Sequence, residues 1–206
     1  MIARPGQTLI EVLLALAIIL VGMMSLVSTL INAKITADAS VDSAIAVQLA
    51  REPVEAARFI RDSNWLEREN GYGTTFNDRL SNGSDHTAVY VWDPAQTNLD
   101  NAVQFDFTPN SNSDPMTVIY QNSDGLYLNT ITGSATIYSR YVTLFPICSS
   151  DGGVTETILT ADGQTCAVGV DEIGIQVTST VTWSSRGTEH TVALEEQLYN
   201  WRYAQP

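Results

Sequence analysis

From Leu9 to Ile31 the chain reads LIEVLLALAIILVGMMSLVSTLI, an apolar run of 23 residues broken by one charge, Glu11. As a helix this run rises about 34 Å, slightly more than the ~30 Å hydrocarbon core of a bilayer, so it can cross a membrane once. It is too long for the apolar core of a cleaved secretory signal, about 7 to 15 residues, and the stretch after it (NAKITADASVDSAIAVQLA) reads as more helix. A period near 3.6 then continues through Val41, Ile45, Leu49, Pro53, Ala56 and Ile60, which gives one apolar stripe. The opposite face carries charges, with Arg51–Glu55 and Arg58–Asp62 spaced i,i+4. Pro53 has no N–H for the Leu49 carbonyl and its ring crowds that oxygen, so the helix is expected to kink or restart there. The bend is either a device between stalk and head or an accident of the surface.

Beyond Trp65 the pattern changes to short alternating runs separated by Thr, Ser, Asn, Asp and Gly, as in an antiparallel sheet with polar loops. The runs predict strands over 87–92, 103–107, 117–121, 126–130, 135–147, 173–183 and 188–199. Asn122-Ser123-Asp124-Gly125 is a hairpin turn between the third and fourth. In the sixth, Ile173, Ile175, Val177, Val181 and Trp183 alternate with Gly174, Gln176, Thr178, Thr180 and Thr182, so one face is core. A loop at Ser185-Arg186 puts Val177 opposite Leu194 and Ile173 opposite Leu198; a bulge at Gly187 slips that register by one. NSNSDP at 110–115 reads as a loop. The fold class is therefore α+β, a long N-terminal transmembrane helix packed at its outer half on an antiparallel β-sheet head. The helix spans 7–63, with 9–31 in the membrane and 32–63 amphipathic, and the head spans 64–206.

Composition narrows the function. The chain carries 10 basic and 23 acidic residues, a net charge of -13, with no basic stripe, which argues against nucleic acid. Cys148 and Cys166 lack the paired spacing of a zinc site, and His86 and His190 are too few to complete one. Asp78, Asp85, Asp93, Asp100, Asp106 and Asp114 are strung through the head without the spacing of a calcium loop. His190 falls inside a strand opposite Val181, His86 beside a turn at the surface, and no nucleophile-elbow, zinc-protease or phosphate-loop motif occurs, so neither catalysis nor a cofactor has a nominee. Trp183, Trp201 and Tyr199 are expected in the core. In an exported head Cys148 and Cys166 are expected to form a disulfide closing a polar, Gly-containing loop. Charges flanking the apolar run, Arg4 on one side and Lys34 and Arg51 on the other, do not decide its orientation. Glu11 has no basic residue within a turn, and an ionisable group in such a span marks a function whose partner is a terminus or another chain.

Pro5-Gly6-Gln7-Thr8-Leu9-Ile10-Glu11-Val12-Leu13-Leu14-Ala15-Leu16 resembles the class III signal of type IV pilins and type II secretion pseudopilins: a short basic leader, Gly, then T-L-I-E opening an apolar helix. Residues 49–66 and 181–202 are similar to the helix end and final hairpin of a minor-pilin or pseudopilin subgroup. The resemblance implies that a prepilin peptidase removes a leader, 1–6, by cutting between Gly6 and Gln7, and that Gln7 is then methylated. Here Gln7 stands where the family usually has Phe. Glu11 would be the subunit-assembly acid that meets the amino terminus of an adjacent subunit. The implied partners are the peptidase, other pilin or pseudopilin subunits, an inner-membrane assembly platform and membrane lipid. The implied location is the inner membrane with the amino terminus cytoplasmic and the head outside, then a periplasmic or cell-surface filament. The alternative is a singly anchored extracellular ligand-binding domain that never polymerises.

Overall fold

In the computed structural model of the chain, residues 5–83, 85–98, 102–108, 114–129 and 133–201 are described, the side chains of 5–8 excepted. Residues 1–4 of the expected leader, Asp100, and 110–113 of the expected loop lie outside them. One helix, α1, runs Pro5–Glu69, and eight strands follow: β1 Thr87–Trp92, β2 Val103–Asp106, β3 Val118–Gln121, β4 Tyr127–Leu128, β5 Ser134–Ser149, β6 Thr157–Ile158, β7 Asp171–Ser185 and β8 Thr188–Tyr199. The fold is α+β, with every strand pairing antiparallel. The chain divides into two compact units, Met1–Ala44 and Ile45–Pro206. The division falls inside α1, which runs past the expected end at 63 to Glu69, because the part of the helix from Ile45 onward is core of the second unit.

In the first unit, the large apolar side chains from Leu9 to Ile31 are exposed, and α1 is long and apolar enough there to cross a membrane. Two of its hydroxyls bond back to the helix, Ser25 donating to the Gly22 carbonyl and Thr29 to that of Ser25. Val41, assigned to the apolar stripe, belongs to this unit and is exposed.

The second unit is built on β5. One edge of β5 pairs with β7 from Tyr138↔Trp183 to Ser149↔Asp171. The other edge meets β3 (Tyr120↔Ala135), β1 (Thr87↔Thr143) and β6 (Ile147↔Ile158) in turn. β2 extends β1, β4 extends β3, and β8 extends β7. Two apolar clusters join α1 to this sheet. Ala46, Leu49 and Ala50 pack with Ile119, Tyr138, Val181 and Trp183. Val54, Ala57, Ile60 and Trp65 pack with Leu80, Val142, Leu144, Ile175, Val177 and Leu198. Four buried alanines, 46, 50, 56 and 57, let the helix backbone lie close to the strands.

Arg140 stands on β5 between the two clusters, on the same face as Tyr138 and Val142, and is 1% exposed. Its guanidinium donates from Nη1 to the Leu49 carbonyl at 2.8 Å and to Glu52 Oε2 at 2.7 Å, and from Nη2 to Asn129 Oδ1 at 2.8 Å. The Tyr90 ring lies 4.9 Å beneath it. Leu49 is the residue whose carbonyl Pro53 leaves without a helical donor. The helix does not restart: α1 continues through Pro53, which is buried, and the orphaned acceptor is taken by the sheet. The expected i,i+4 pairs are replaced too. Arg58 grips Glu196 of β8 with two hydrogen bonds and Glu55 with a third, while Asp62 pairs with Arg61. Helix and sheet are thus tied by charge as well as apolar packing.

The β7–β8 register also differs from expectation. Val177 faces Glu196 and Ile175 faces Leu198, with Arg186-Gly187 as the two-residue turn. Both turn residues have positive φ, 55° and 78°, as a type I′ hairpin requires, and Gly187 adopts that conformation freely. The shift of two residues keeps parity, so Val181, Val192, Leu194 and Leu198 still share the core face. Gly174 lies where the end of β7 passes close to β8: a Cβ there would sit 2.9 Å from the Leu198 carbonyl oxygen and 3.2 Å from Tyr199 Cα. Gly174→Ala is expected to destabilise the head by about 1–3 kcal/mol, read by thermal unfolding of the full-length chain through the sheet's circular dichroism.

Candidate functional site

Gly6 and Gln7 lie in the first turn of α1 and Glu11 one turn further along. Glu11 is exposed, and makes no hydrogen bond or ion pair with a described residue. A carboxylate on an otherwise apolar, exposed helical surface has no internal reason to be there. What the arrangement can do is offer one negative charge, at a fixed height on the helix, to a cation from elsewhere.

Cys148 at the end of β5 is bonded to Cys166, with the Cα atoms 5.7 Å apart. The bridge closes a loop whose backbone is held at three further points. Ser149 and Asp151 make a tight turn in which Asp151 Oδ1 accepts from the Val154 and Thr155 amides and from the Ser149 hydroxyl. Those bonds, led by the Thr155 amide, pull the Asp151 pKa down to about 2. β6 pairs back onto β5. Asp162 then accepts from the His86 amide at 2.6 Å and the Thr87 hydroxyl at 3.0 Å, which fastens the far side of the loop to the start of β1.

His86 is consequently not the surface residue expected from its turn-side position. It is 1% exposed, its Nε2 lies 2.8 Å from the Gln164 carbonyl oxygen, and the ring tilts against Phe145. A carbonyl oxygen only accepts, so Nε2 carries the proton in that bond. His190 faces Trp183 instead of Val181 and stacks on its indole at 5.2 Å. Trp183 is buried as expected, Tyr199 is half-buried, and Trp201 departs from expectation by being largely exposed.

Three acidic residues of the head serve their own turns: Asp93 accepts from the Ala95 amide, Asp106 from Thr108, and Asp114 from the Met116 amide. Among the described residues, no group of three or more His, Cys, Asp or Glu converges as a metal ion would require. The structure therefore brings Cys148 and Cys166 together, places Glu11 in the other compact unit, and assembles around neither of them a set of convergent reactive groups.

Sequence reasoning missed Arg140, Asp162 and Asn64. Arg140 had a signal, being a charge inside an alternating apolar row. Asn64 is fully buried, receives a bond from Arg79 on its Oδ1, and donates from Nδ2 to the Phe76 and Asp78 carbonyls, organising the loop after α1. Its signal is weaker, a polar residue at a helix position facing the core. Asp162 had none, since its partners are 75 and 76 residues away. No family model, no curated protein and no solved structure matches the chain.

Proposed function

We propose that the chain is a structural subunit of a type IV pilus or related pseudopilus, processed by a prepilin peptidase and assembled through its N-terminal helix. The observation that carries this reading is the order Gly6-Gln7-Thr8-Leu9-Ile10-Glu11 at the head of an exposed apolar helix that can span a membrane. Lipid covers that helix first, with the amino terminus cytoplasmic and the head outside; equivalent helices of neighbouring subunits cover it afterwards. Near the membrane interface the Glu11 carboxylate is tolerated at modest cost. In a dry helix bundle it requires a cation, and cleavage between Gly6 and Gln7 creates one, the amino group of an adjacent subunit. Glu11 thus sets the axial register between copies. A head stitched to its own helix by Arg140 and Arg58 suits this role, because a subunit drawn out of the membrane by its neighbours is loaded along that helix.

Amino-terminal mass spectrometry of the membrane fraction is expected to find Gln7 as the first residue; retention of Met1 throughout the mature pool would favour the singly anchored domain instead. Glu11→Ala is expected to leave membrane insertion and head folding unchanged while lowering incorporation into filaments, or crosslinking to partner subunits, by about tenfold or more. Incorporation equal to the wild type would remove Glu11 from the mechanism.

A further inference from the structure

At the C-terminal end of α1, the loop after the helix, the start of β7 and the residue after β8 enclose an open cleft of about 390 Å³. Its lining includes Arg68, Thr75, Phe76, Asn77, Glu172 and Asn200. The loop is held in place by buried bonds: the Thr74 hydroxyl donates to the Asn64 carbonyl, and Asn64 Nδ2 donates to the Phe76 and Asp78 carbonyls. The cleft is thus shaped before anything enters it.

Its polar groups are only half used. Glu172 is held by Asn77, whose Nδ2 donates to Oε1 at 2.9 Å, while Oε2 has no partner among the described residues. Asn200 is 7% exposed and its amide orientation is fixed, because the donor-only indole Nε1 of Trp65 points at Oδ1. That leaves the Asn200 Nδ2 donors unspent among the described residues. Burial raises the Glu172 pKa, as expected of a carboxylate short of donors.

Two residues next to this lining in the chain, though not part of the lining itself, are aromatic and exposed. Tyr72 precedes Gly73 and is 76% exposed; Trp201 follows Asn200 and is 61% exposed. The Trp201 ring is not loose, since it meets Trp65 edge-to-face at 4.7 Å while Arg61 lies over Trp65 at the same distance. A large, partly exposed indole braced by a second ring is a contact surface that loses little entropy on binding.

We propose that this cleft binds a neutral saccharide. A pyranose offers a rim of hydroxyls that both donate and accept, matching the free Glu172 oxygen and the Asn200 donors, and an apolar C–H face that fits an indole or phenol ring. The lining holds one cation, Arg68, and one carboxylate, Glu172, so its charges sum to zero and favour an uncharged ligand. A lone carboxylate among amides and hydroxyls does not make a metal site. This binding is independent of filament assembly and would give the head a ligand in either setting.

The test uses the full-length chain in nanodiscs, since glycoside detergents would compete. Lactose, maltose, cellobiose and N,N′-diacetylchitobiose are titrated against tryptophan emission and checked by saturation-transfer NMR, with tetra-alanine as the peptide comparison. At least one disaccharide is expected to bind. Trp201→Ala and Glu172→Gln should each weaken it by about tenfold or more with the sheet's circular dichroism unchanged, and Trp201→Phe should recover most of the loss. Absence of binding by all four sugars, binding unaffected by both substitutions, or binding of tetra-alanine alone would overturn the proposal.

Discussion

A proline in the middle of a buried helix face leaves a carbonyl without a donor, and the second compact unit is organised around the answer to that problem. The Leu49 oxygen faces the sheet, where water cannot reach it cheaply; an unpaired group of this kind costs about 1–3 kcal/mol. Arg140 reaches it from β5 and is itself held by Glu52 and Asn129. Each partner makes the others acceptable. Burial pulls the Arg140 pKa down and Glu52 opposes that pull, so the cation is kept in a place where it would otherwise be expensive. Because neighbouring residues of a strand point to opposite faces, a one-residue slip of β5 would carry Arg140 away from the helix altogether. The same guanidinium thus fixes how far along α1 the sheet sits.

That registration divides the labour along the helix. From Ile45 onward α1 is core, with Leu49, Ala50, Ala57 and Ile60 buried against strands. Before Ala44 its large apolar side chains are exposed among the described residues. A chain built in this way offers one surface that demands company and one head that is complete. The proposed filament assembly uses both, and in that proposal Glu11 is the group through which the demand becomes specific.

Much of this was legible because period alone separates helix from strand. Ile173, Ile175, Val177, Val181 and Trp183 announce β7 and its core face, and the hairpin from Asn122 to Gly125 announces β3 and β4. What failed was whatever depended on partners distant in the chain. The alternating row Tyr138, Arg140, Val142, Leu144 contains its own anomaly, but nothing local says that the arginine answers a proline 87 residues earlier. The position of the final turn was misjudged because Ser185-Arg186 and Arg186-Gly187 are adjacent two-residue choices; only the second puts the glycine at a positive φ. His86 and Trp201 exchanged their expected places for related reasons. His86 is covered by the disulfide loop that Asp162 pins over it, and Trp201 follows the last strand, past the alternation that would have assigned it a face.

The exchange between Pro53 and Arg140 is directly measurable as a coupling free energy. In the full-length chain, unfolding of the head would be followed for Arg140→Met, Pro53→Ala and the double variant. Arg140→Met alone is expected to cost about 1–3 kcal/mol, because it strands the Leu49 carbonyl, while Glu52 is exposed and is left to water. With Ala at 53 the helix regains its own donor for Leu49, so the same substitution should cost about 1–2 kcal/mol less. Costs that simply add, with no coupling between positions 53 and 140, would contradict the account.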